Sequence, residues 1–237
     1  MSRFEQLLEG QLPKLVMFDL DGTLVDSAAD IAEAVNRLFD ALALPRVDAA
    51  LVRGWIGDGV SALVATALAH QRSAVALEQA LPVFMAGYHD CLLRSPQLYP
   101  GVAPALASLQ QAGVPMAICT NKPVELVPPL LAHLGIADYF PVIIGGGSLP
   151  QRKPDPAPLR LSAQRLGVAV EHCLMVGDSA TDHAAAIAAQ MPVALVRYGY
   201  PRGLDLEAVP SVAVVDDLRA LLPLLGIVGA DELPAGR

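Results

Sequence analysis

Residues 15–23 read LVMFDLDGT, so a run of four apolar residues, Leu15–Phe18, leads directly into a polar segment with two aspartates. A short strand without polar residues is buried on both faces, which is typical of a parallel sheet covered by helices. Similar runs follow, separated by helix-length amphipathic segments, at Val114–Cys119, Pro141–Ile144, Cys173–Val176, Val193–Val196 and, as a candidate sixth strand, Val212–Val215. Strands that alternate with helices predict an α/β fold with a doubly wound parallel sheet.

Residues 28–95 interrupt this alternation, because they contain helical patterns only. The predicted helices are Ile31–Ala43, Val60–His70 and Ser73–Leu93, and the segment RGWIGDG at residues 53–59 lies between the first two. We call residues 28–95 the helical insert and expect them to form a cap subdomain over one edge of the sheet. Residues 1–27 and 96–237 then form the core, with hinges at 26–29 and 94–101.

Two helix starts are also predicted from single residues. Ser27 precedes the first helical pattern of the insert and is a residue type that caps helices. Pro128 and Pro129 predict a short turn followed by a helix that begins near residue 128, because proline is tolerated only in the first turn.

Composition excludes several classes of protein. The 237 residues carry 16 basic and 24 acidic side chains, a net charge of −8, which argues against a nucleic-acid-binding protein. The longest segment without a charged residue, 95–121, contains several prolines and glycines, so no apolar helix of about 20 residues is predicted to cross a membrane. The three cysteines form no CxxC pair, and residues 1–13 lack the apolar block of a secretory signal. These features predict a cytoplasmic protein.

The first polar cluster is Asp19-Leu20-Asp21-Gly22-Thr23. Side chains two residues apart on an extended backbone share a side, so the carboxylates of Asp19 and Asp21 converge. Converging carboxylates need a nearby cation, or one of them holds a proton. Either state suits catalysis by an ionised nucleophile and a neighbouring proton donor. In isolation a DG pair is more often an ordinary turn.

A second acidic cluster, Gly177-Asp178-Ser179 with Asp182 one helical turn later, follows another apolar strand. Ser179 and Asp182 could equally form a helix cap, and this alternative stays open. Because the carboxyl ends of parallel strands meet at one edge, the acids of both clusters should lie together there. Ligation by oxygen alone points to Mg²⁺.

Thr120 and Lys153 complete the set at the same edge. Thr120 follows the strand at 114–119, where its hydroxyl and the next amides can donate to an anion, and Lys153 lies in RKPDP, where two prolines restrict the backbone. Taken singly, a helix cap and a surface lysine are the ordinary interpretations. Together with the acids and a cation, these donors describe phosphoryl transfer.

The order of DLDGT, threonine, lysine and GDSATD resembles the haloacid dehalogenase superfamily over residues 14–217. This resemblance implies a Rossmann-like core with a helical cap after the first strand. It also implies that Asp19 is a nucleophile forming an aspartyl-phosphate and that Asp21 is the general acid and base. Thr120 and Lys153 would bind the phosphoryl group, and Asn121 would add a contact. Mg²⁺ would be held by Asp19, the Asp21 carbonyl and Asp178, with Asp182 supporting its water shell.

Within the superfamily the sequence is most similar to the phosphoglycolate phosphatases, on the segments FDLDGTLVDS, GWIGDG, TNKP and LMVGDSATD. Asp21 favours phosphate over halide chemistry, since the superfamily's dehalogenases lack the DxD pair. The insert contains no lysine, which argues against a phosphonatase that uses a Schiff base to a cap lysine. Arg53, Trp55 and Asp58 are candidate substrate contacts in the insert, with Arg53 suited to a carboxylate. Trp55 could instead be packing.

The predicted partner is therefore a small phosphorylated metabolite, and the resemblance implies that this substrate is 2-phosphoglycolate. Phosphatases of sugar phosphates, amino-sugar phosphates or pyrophosphate share the same core motifs and remain alternatives, as does a β-phosphoglucomutase-like phosphotransferase. A receiver-type signalling module is a remote alternative, because receivers are about half this length. The sequence leaves open whether the protein is a monomer or a homodimer.

Overall fold

The computed structural model describes residues 13–227, and its centre is a six-stranded parallel sheet in the order β5-β4-β1-β6-β7-β8. The strands are β1 Leu15–Phe18, β4 Met116–Pro123, β5 Val142–Gly146, β6 Cys173–Gly177, β7 Val193–Val196 and β8 Ala213–Val215. The predicted α/β parallel sheet is confirmed. β1 lies between β4 and β6, with Phe18 opposite Ile118 on one side and Val176 on the other.

The side chains of β1 show why it has no polar residue. Val16 and Phe18 belong to one hydrophobic cluster, and Leu15 and Met17 belong to a second cluster. Successive side chains of a strand point to opposite faces, so β1 is covered on both faces. All four residues are at most 1% exposed. This double burial contributes to the high apolar content of the chain, in which 54% of the residues are hydrophobic.

The helices cover both faces of this sheet and fill the insert. They are Ala28–Ala41, Ala49–Arg53, Val60–His70, Leu77–Cys91, Val102–Gln111, Val127–His133, Ala157–Arg165, Ala180–Ala189 and Leu221–Leu224, with 3₁₀ turns at Val124–Leu126, Ala137–Tyr139, Val170–His172 and Leu218–Ala220. Val60–His70 was predicted with its correct bounds. The helix that was predicted to begin near Pro128 begins at Val127. None of the helices within residues 13–227 is long and apolar enough to span a bilayer.

Two predicted helices of the insert, Ile31–Ala43 and Ser73–Leu93, have the bounds Ala28–Ala41 and Leu77–Cys91 in the structure. The insert also differs from its prediction in two further respects. It contains an additional short helix, Ala49–Arg53, and it is bounded by two short strands, β2 Val25–Asp26 and β3 Gln97–Leu98. These strands pair antiparallel and bring the two hinge segments together. The division into a core and a cap subdomain stays a prediction, and residues 1–12 and 228–237 of the predicted core lie outside the described residues.

Ser27 does not cap the helix that it precedes, which corrects the prediction made from its residue type. It occupies the N-cap position, but its side chain makes no capping hydrogen bond. Instead its hydroxyl donates to Asp21 Oδ1 at 2.6 Å. Capping would require the hydroxyl oxygen to accept from a backbone N–H, but Ser27, with φ −110° and ψ 3°, lacks the extended backbone usual at an N-cap. Its donation to a carboxylate is instead a charge-assisted hydrogen bond.

Candidate active site

The polar residues predicted from the core motifs converge at the carboxyl edge of the sheet, whereas the candidates in the insert do not. Seven of them are at most 9% exposed and lie at this edge: Asp19, Asp21, Thr120, Asn121, Lys153, Asp178 and Asp182. Their convergence follows from the strand order, because β1 has β4 and β6 as its neighbours. Arg53, Trp55 and Asp58 of the insert are described below.

Lys153 is the centre of the hydrogen-bonding network. Its ammonium donates to Asp19 Oδ1 at 2.9 Å, to Asp182 Oδ1 at 2.6 Å and to the carbonyl oxygen of Cys119 at 2.7 Å. Burial opposes its charge, but the carboxylates of Asp182 and Asp19 outweigh burial and raise the pKa of Lys153 above its ordinary value. The lysine is therefore a fixed positive charge with all three N–H groups in use.

Asn121 holds the backbone that carries this lysine. The amide nitrogen of Lys153 donates to Asn121 Oδ1 at 3.0 Å, and Asn121 Nδ2 donates to the Lys153 carbonyl at 2.9 Å. Asn121 Nδ2 also donates to the carbonyl of Gly57 in the insert at 3.0 Å. Asn121 thus ties strand β4 to the lysine loop and to the insert.

Asp182 serves as a helix cap and as a partner of Lys153, so the cap that the sequence left open does form. Ser179 accepts from the Asp182 amide, and Asp182 Oδ2 accepts from the Ser179 amide, which completes a capping box. The same oxygen accepts from the Ser179 hydroxyl at 2.7 Å and the Asp178 amide at 3.2 Å. Both oxygens of Asp182 are therefore engaged by protein donors.

Asp178 is held rigidly at the tip of β6. Its Oδ1 accepts from the Thr23 hydroxyl at 2.7 Å, and its Oδ2 accepts from the Tyr200 amide at 2.6 Å. Gly22 has φ +97°, and a side chain there would overlap the Asp178 carboxylate. Only glycine permits both this backbone conformation and this approach. The Asp21-Gly22 pair thus forms a turn, and the Gly22 backbone packs directly against the Asp178 carboxylate.

The donor set of this cluster fits a hard divalent cation. Asp19, Asp178 and Asp182 are buried and present oxygens within 4.8 Å of one another. Burial raises the pKa of Asp19 to about 6, even with the opposing effect of the Lys153 charge. Burial, together with the charges of Asp182 and Asp19, raises the pKa of Asp178 well above its ordinary value. Three carboxylates against one ammonium leave a charge of −2 when all are ionised. A cation bound by oxygen atoms would balance this charge and favour the ionised carboxylates.

Asp21 has a separate environment. Its carboxylate accepts from the Lys122 ammonium at 3.0 and 3.2 Å, in addition to the Ser27 hydroxyl. The Lys122 side chain is 1% exposed, and its ammonium also donates to the Tyr88 hydroxyl from the helix Leu77–Cys91. The cation required beside Asp21 is therefore a lysine.

The sequence places Lys122 at this edge of the sheet but assigns it no role, and Tyr88 was not predicted as a site residue. The signal for Lys122 was its place beside Thr120 and Asn121 as one of only three lysines in the chain. No sequence signal singles out Tyr88, since an aromatic residue in an amphipathic helix is ordinary core. Only the packing of the insert on the sheet brings its hydroxyl to the site.

A cavity of about 40 Å³ lies between this edge and the insert. The core side is lined by Asp19, Asp21, Thr120, Asn121, Lys122 and Pro123, and the insert side by Ile31, Ile56, Gly57, Gly59, Val60, Leu63 and Tyr88. Such a cavity holds about three water-sized groups, at roughly 10–15 Å³ each. The wall supplied by the insert is almost wholly apolar.

The three insert residues predicted as substrate contacts do not line this cavity. Arg53 donates to the carbonyls of Tyr198 at 2.9 Å and Gly199 at 3.3 Å. The Trp55 ring packs against the His70 ring, with 5.4 Å between the ring centroids. Asp58 forms a bidentate pair with Arg202 at 2.5 and 2.7 Å and accepts from Thr181 at 2.7 Å. Arg53 and Asp58 thus connect the insert to the core.

Comparison with known proteins agrees with this geometry. Residues 13–190 match the model of the haloacid dehalogenase-like hydrolases. A phosphoglycolate phosphatase of Pseudomonas putida is 47% identical, and one of Pseudomonas fluorescens is 45% identical; each alignment spans 94% of this chain and 84% of the relative. A solved Haemophilus somnus protein, described as a predicted phosphoglycolate phosphatase, is 33% identical with a TM-score of 0.83, covering 89% of this chain and 97% of its own. The chain belongs to the haloacid dehalogenase-like hydrolase family.

Proposed function

We propose that this protein is a Mg²⁺-dependent phosphomonoester hydrolase that converts 2-phosphoglycolate to glycolate and inorganic phosphate. The observation that carries the proposal is the separation of two aspartates into different environments. Asp19 contacts Lys153 within the acidic cluster, and Asp21 contacts Lys122 and Ser27 outside it. The two carboxylates therefore belong to separate hydrogen-bond networks, so one can act as the nucleophile while the other transfers a proton.

The proposed first step transfers the phosphoryl group to Asp19. A carboxylate oxygen of Asp19 attacks phosphorus, and the bond from phosphorus to the glycolate oxygen breaks. Asp21 in its protonated form gives its proton to the departing oxygen, which leaves as the hydroxyl of glycolate. When the ester binds, the Lys153 N–H that donates to Asp19 Oδ1 in the free protein turns to a phosphoryl oxygen, and the Thr120 hydroxyl donates to another. Both donors offset the phosphoryl charge that would otherwise repel the Asp19 carboxylate.

The second step returns the enzyme to its starting state. Asp21, now ionised, takes a proton from a water molecule whose oxygen attacks phosphorus of the aspartyl-phosphate. The bond from phosphorus to Asp19 breaks, inorganic phosphate leaves, and Asp21 holds the proton for the next cycle.

Asp19, Asp178 and the backbone of Asp21 would hold Mg²⁺, which would neutralise charge on the phosphoryl group. Asp182 keeps Lys153 and Asp178 in position through the bonds described above.

The choice of 2-phosphoglycolate is supported by the names of the relatives, which are phosphoglycolate phosphatases 47% and 45% identical to this chain. The three cysteines of the described residues are free and buried, which supports the reducing cytoplasm as the proposed location.

Phosphate release from purified protein tests this function. We expect release from 2-phosphoglycolate with Mg²⁺, loss of activity in EDTA, and loss of turnover in Asp19→Asn. Asp138→Asn is a matched control, since Asp138 is exposed in the turn Ala137–Tyr139, away from the acidic cluster. Full activity of Asp19→Asn would refute the mechanism. A higher kcat/KM for hexose phosphates, amino-sugar phosphates or pyrophosphate would refute the substrate, and phosphate moved within a sugar without release would indicate a mutase.

A further inference from the structure

Three polar residues that line the cavity, Asn121, Lys122 and Tyr88, are not used by the two proposed steps. The amide of Asn121 is occupied by Gly57 and Lys153, which leaves Lys122 and Tyr88. Among the residues that line it, Lys122 carries the only positive charge. The phosphoryl group is already met by Thr120 and Lys153. The lysine and the tyrosine are therefore available to bind the leaving group, which is the alcohol part of the ester.

The Tyr88 hydroxyl has a hydrogen to donate and no acceptor for it. It is 2% exposed and accepts a hydrogen bond from the Lys122 ammonium, and no described residue accepts from it. Burial, together with the charges of Asp21 and Asp30, raises the pKa of Tyr88 well above its ordinary value, so the hydroxyl keeps its hydrogen. A buried donor without an acceptor costs free energy unless a ligand supplies one.

None of the arginines of the insert lines this cavity, so none of them is placed to bind an anionic ligand there. Arg53 is bound to backbone carbonyls, as described above. Arg37 pairs with Asp90 at 2.8 Å, and Arg46 pairs with Asp40 at 2.8 Å, both on the exposed side of the insert. An anion in the cavity would meet the carboxylates of Asp19 and Asp21, and the neighbouring donors that could offset this repulsion are Lys122 and Tyr88.

We propose that Lys122 and Tyr88 form the binding site for the carboxylate of a short phosphorylated acid, a proposal that rests on the proposed phosphatase function. The carboxylate accepts from the Tyr88 hydroxyl and shares the Lys122 ammonium with Asp21. Charge-assisted hydrogen bonds of this kind are the strong ones, and they are lost when an uncharged group replaces the carboxylate. Specificity then comes from one residue of β4 and one of the insert, rather than from Arg53.

The test compares two substrates that differ only at this group: 2-phosphoglycolate and 2-hydroxyethyl phosphate. The measured quantity is the ratio of their kcat/KM values in wild type, Tyr88→Phe and Lys122→Met. We expect the ratio to fall about 10-fold in Tyr88→Phe, mainly through KM for 2-phosphoglycolate, and about 100-fold in Lys122→Met. Because Lys122 also contacts Asp21, its variant slows both esters, and the ratio isolates recognition of the carboxylate.

Two controls keep the outcomes distinct. Tyr88→Phe retains the ring that packs 5.5 Å from Phe84, and its thermal unfolding should match wild type closely. Tyr139→Phe removes a hydroxyl far from the cavity and should leave the ratio unchanged. If wild type prefers 2-phosphoglycolate and both variants keep its ratio within twofold, the carboxylate site is wrong and the phosphatase function stands. If wild type does not prefer 2-phosphoglycolate, the proposed substrate itself fails.

Discussion

Replacing Lys153 with methionine should cost more stability than any other single change at the sheet edge. The methionine keeps the length of the side chain and removes an ammonium that makes bonds of 2.9 and 2.6 Å to two carboxylates. The lysine side chain is 2% exposed and that of Asp182 is 1% exposed, so water cannot replace the lost donor. Removing one partner of a buried ion pair costs about 3–5 kcal/mol. We therefore expect the free energy of unfolding to fall by about 4 kcal/mol.

Urea denaturation of Lys153→Met, with phosphate release measured in parallel, checks this expectation. Activity should fall about 100- to 1000-fold, the usual effect of losing a donor that stabilises transition-state charge. Lys14→Met is the matched control, because Lys14 is exposed at the start of β1 and should change neither quantity. Lys153→Arg keeps the charge and should recover part of the stability. An unfolding free energy within about 1 kcal/mol of wild type, with activity within 10-fold, would refute the reasoning.

Three smaller perturbations test the supports of the site. Ser179→Ala removes the helix cap and should lower the free energy of unfolding by about 1 kcal/mol in urea titrations; an unchanged midpoint would contradict the capping box. Gly22→Ala forces a side chain against Asp178 and should weaken Mg²⁺ binding at least 10-fold by calorimetry, whereas wild-type affinity would show that the turn can relax. Asp58→Asn weakens the pair with Arg202, and since Asp58 is partly exposed the loss should be at most about 1 kcal/mol. Its KM should rise a few-fold, and a 100-fold fall in kcat would mean that Asp58 has a chemical role.

The sheet could be predicted from the sequence because burial on both faces leaves a direct trace. Leu15–Phe18 and Val193–Val196 have the same bounds in the structure as in the apolar pattern. β4 was harder, because it continues through the polar residues to Pro123, which pairs with Gly146 after a shift in register. The position at which β4 ends depends on its pairing with β5, and the hydropathy of the sequence does not record that pairing.

The acidic cluster was predictable for a similar reason, since its residues follow strands whose order brings their ends together. The side of the cavity formed by the insert was not. Arg53 was expected to face a substrate, but carbonyl oxygens at residues 198 and 199 supply acceptors for its guanidinium. Lys122 and Tyr88 meet only when the insert packs on β4. Contacts between segments far apart in sequence depend on tertiary packing, which local patterns do not record.

The central claim is that Asp19 carries the phosphoryl group during turnover. Rapid acid quench of the enzyme with 2-phosphoglycolate labelled in its phosphoryl group tests this claim most directly. We predict a label on the protein that appears before free phosphate, is released by hydroxylamine as an acyl phosphate should be, and maps to the peptide that contains Asp19. Full turnover without labelled protein at any time, or a label on a peptide without Asp19, would contradict the account.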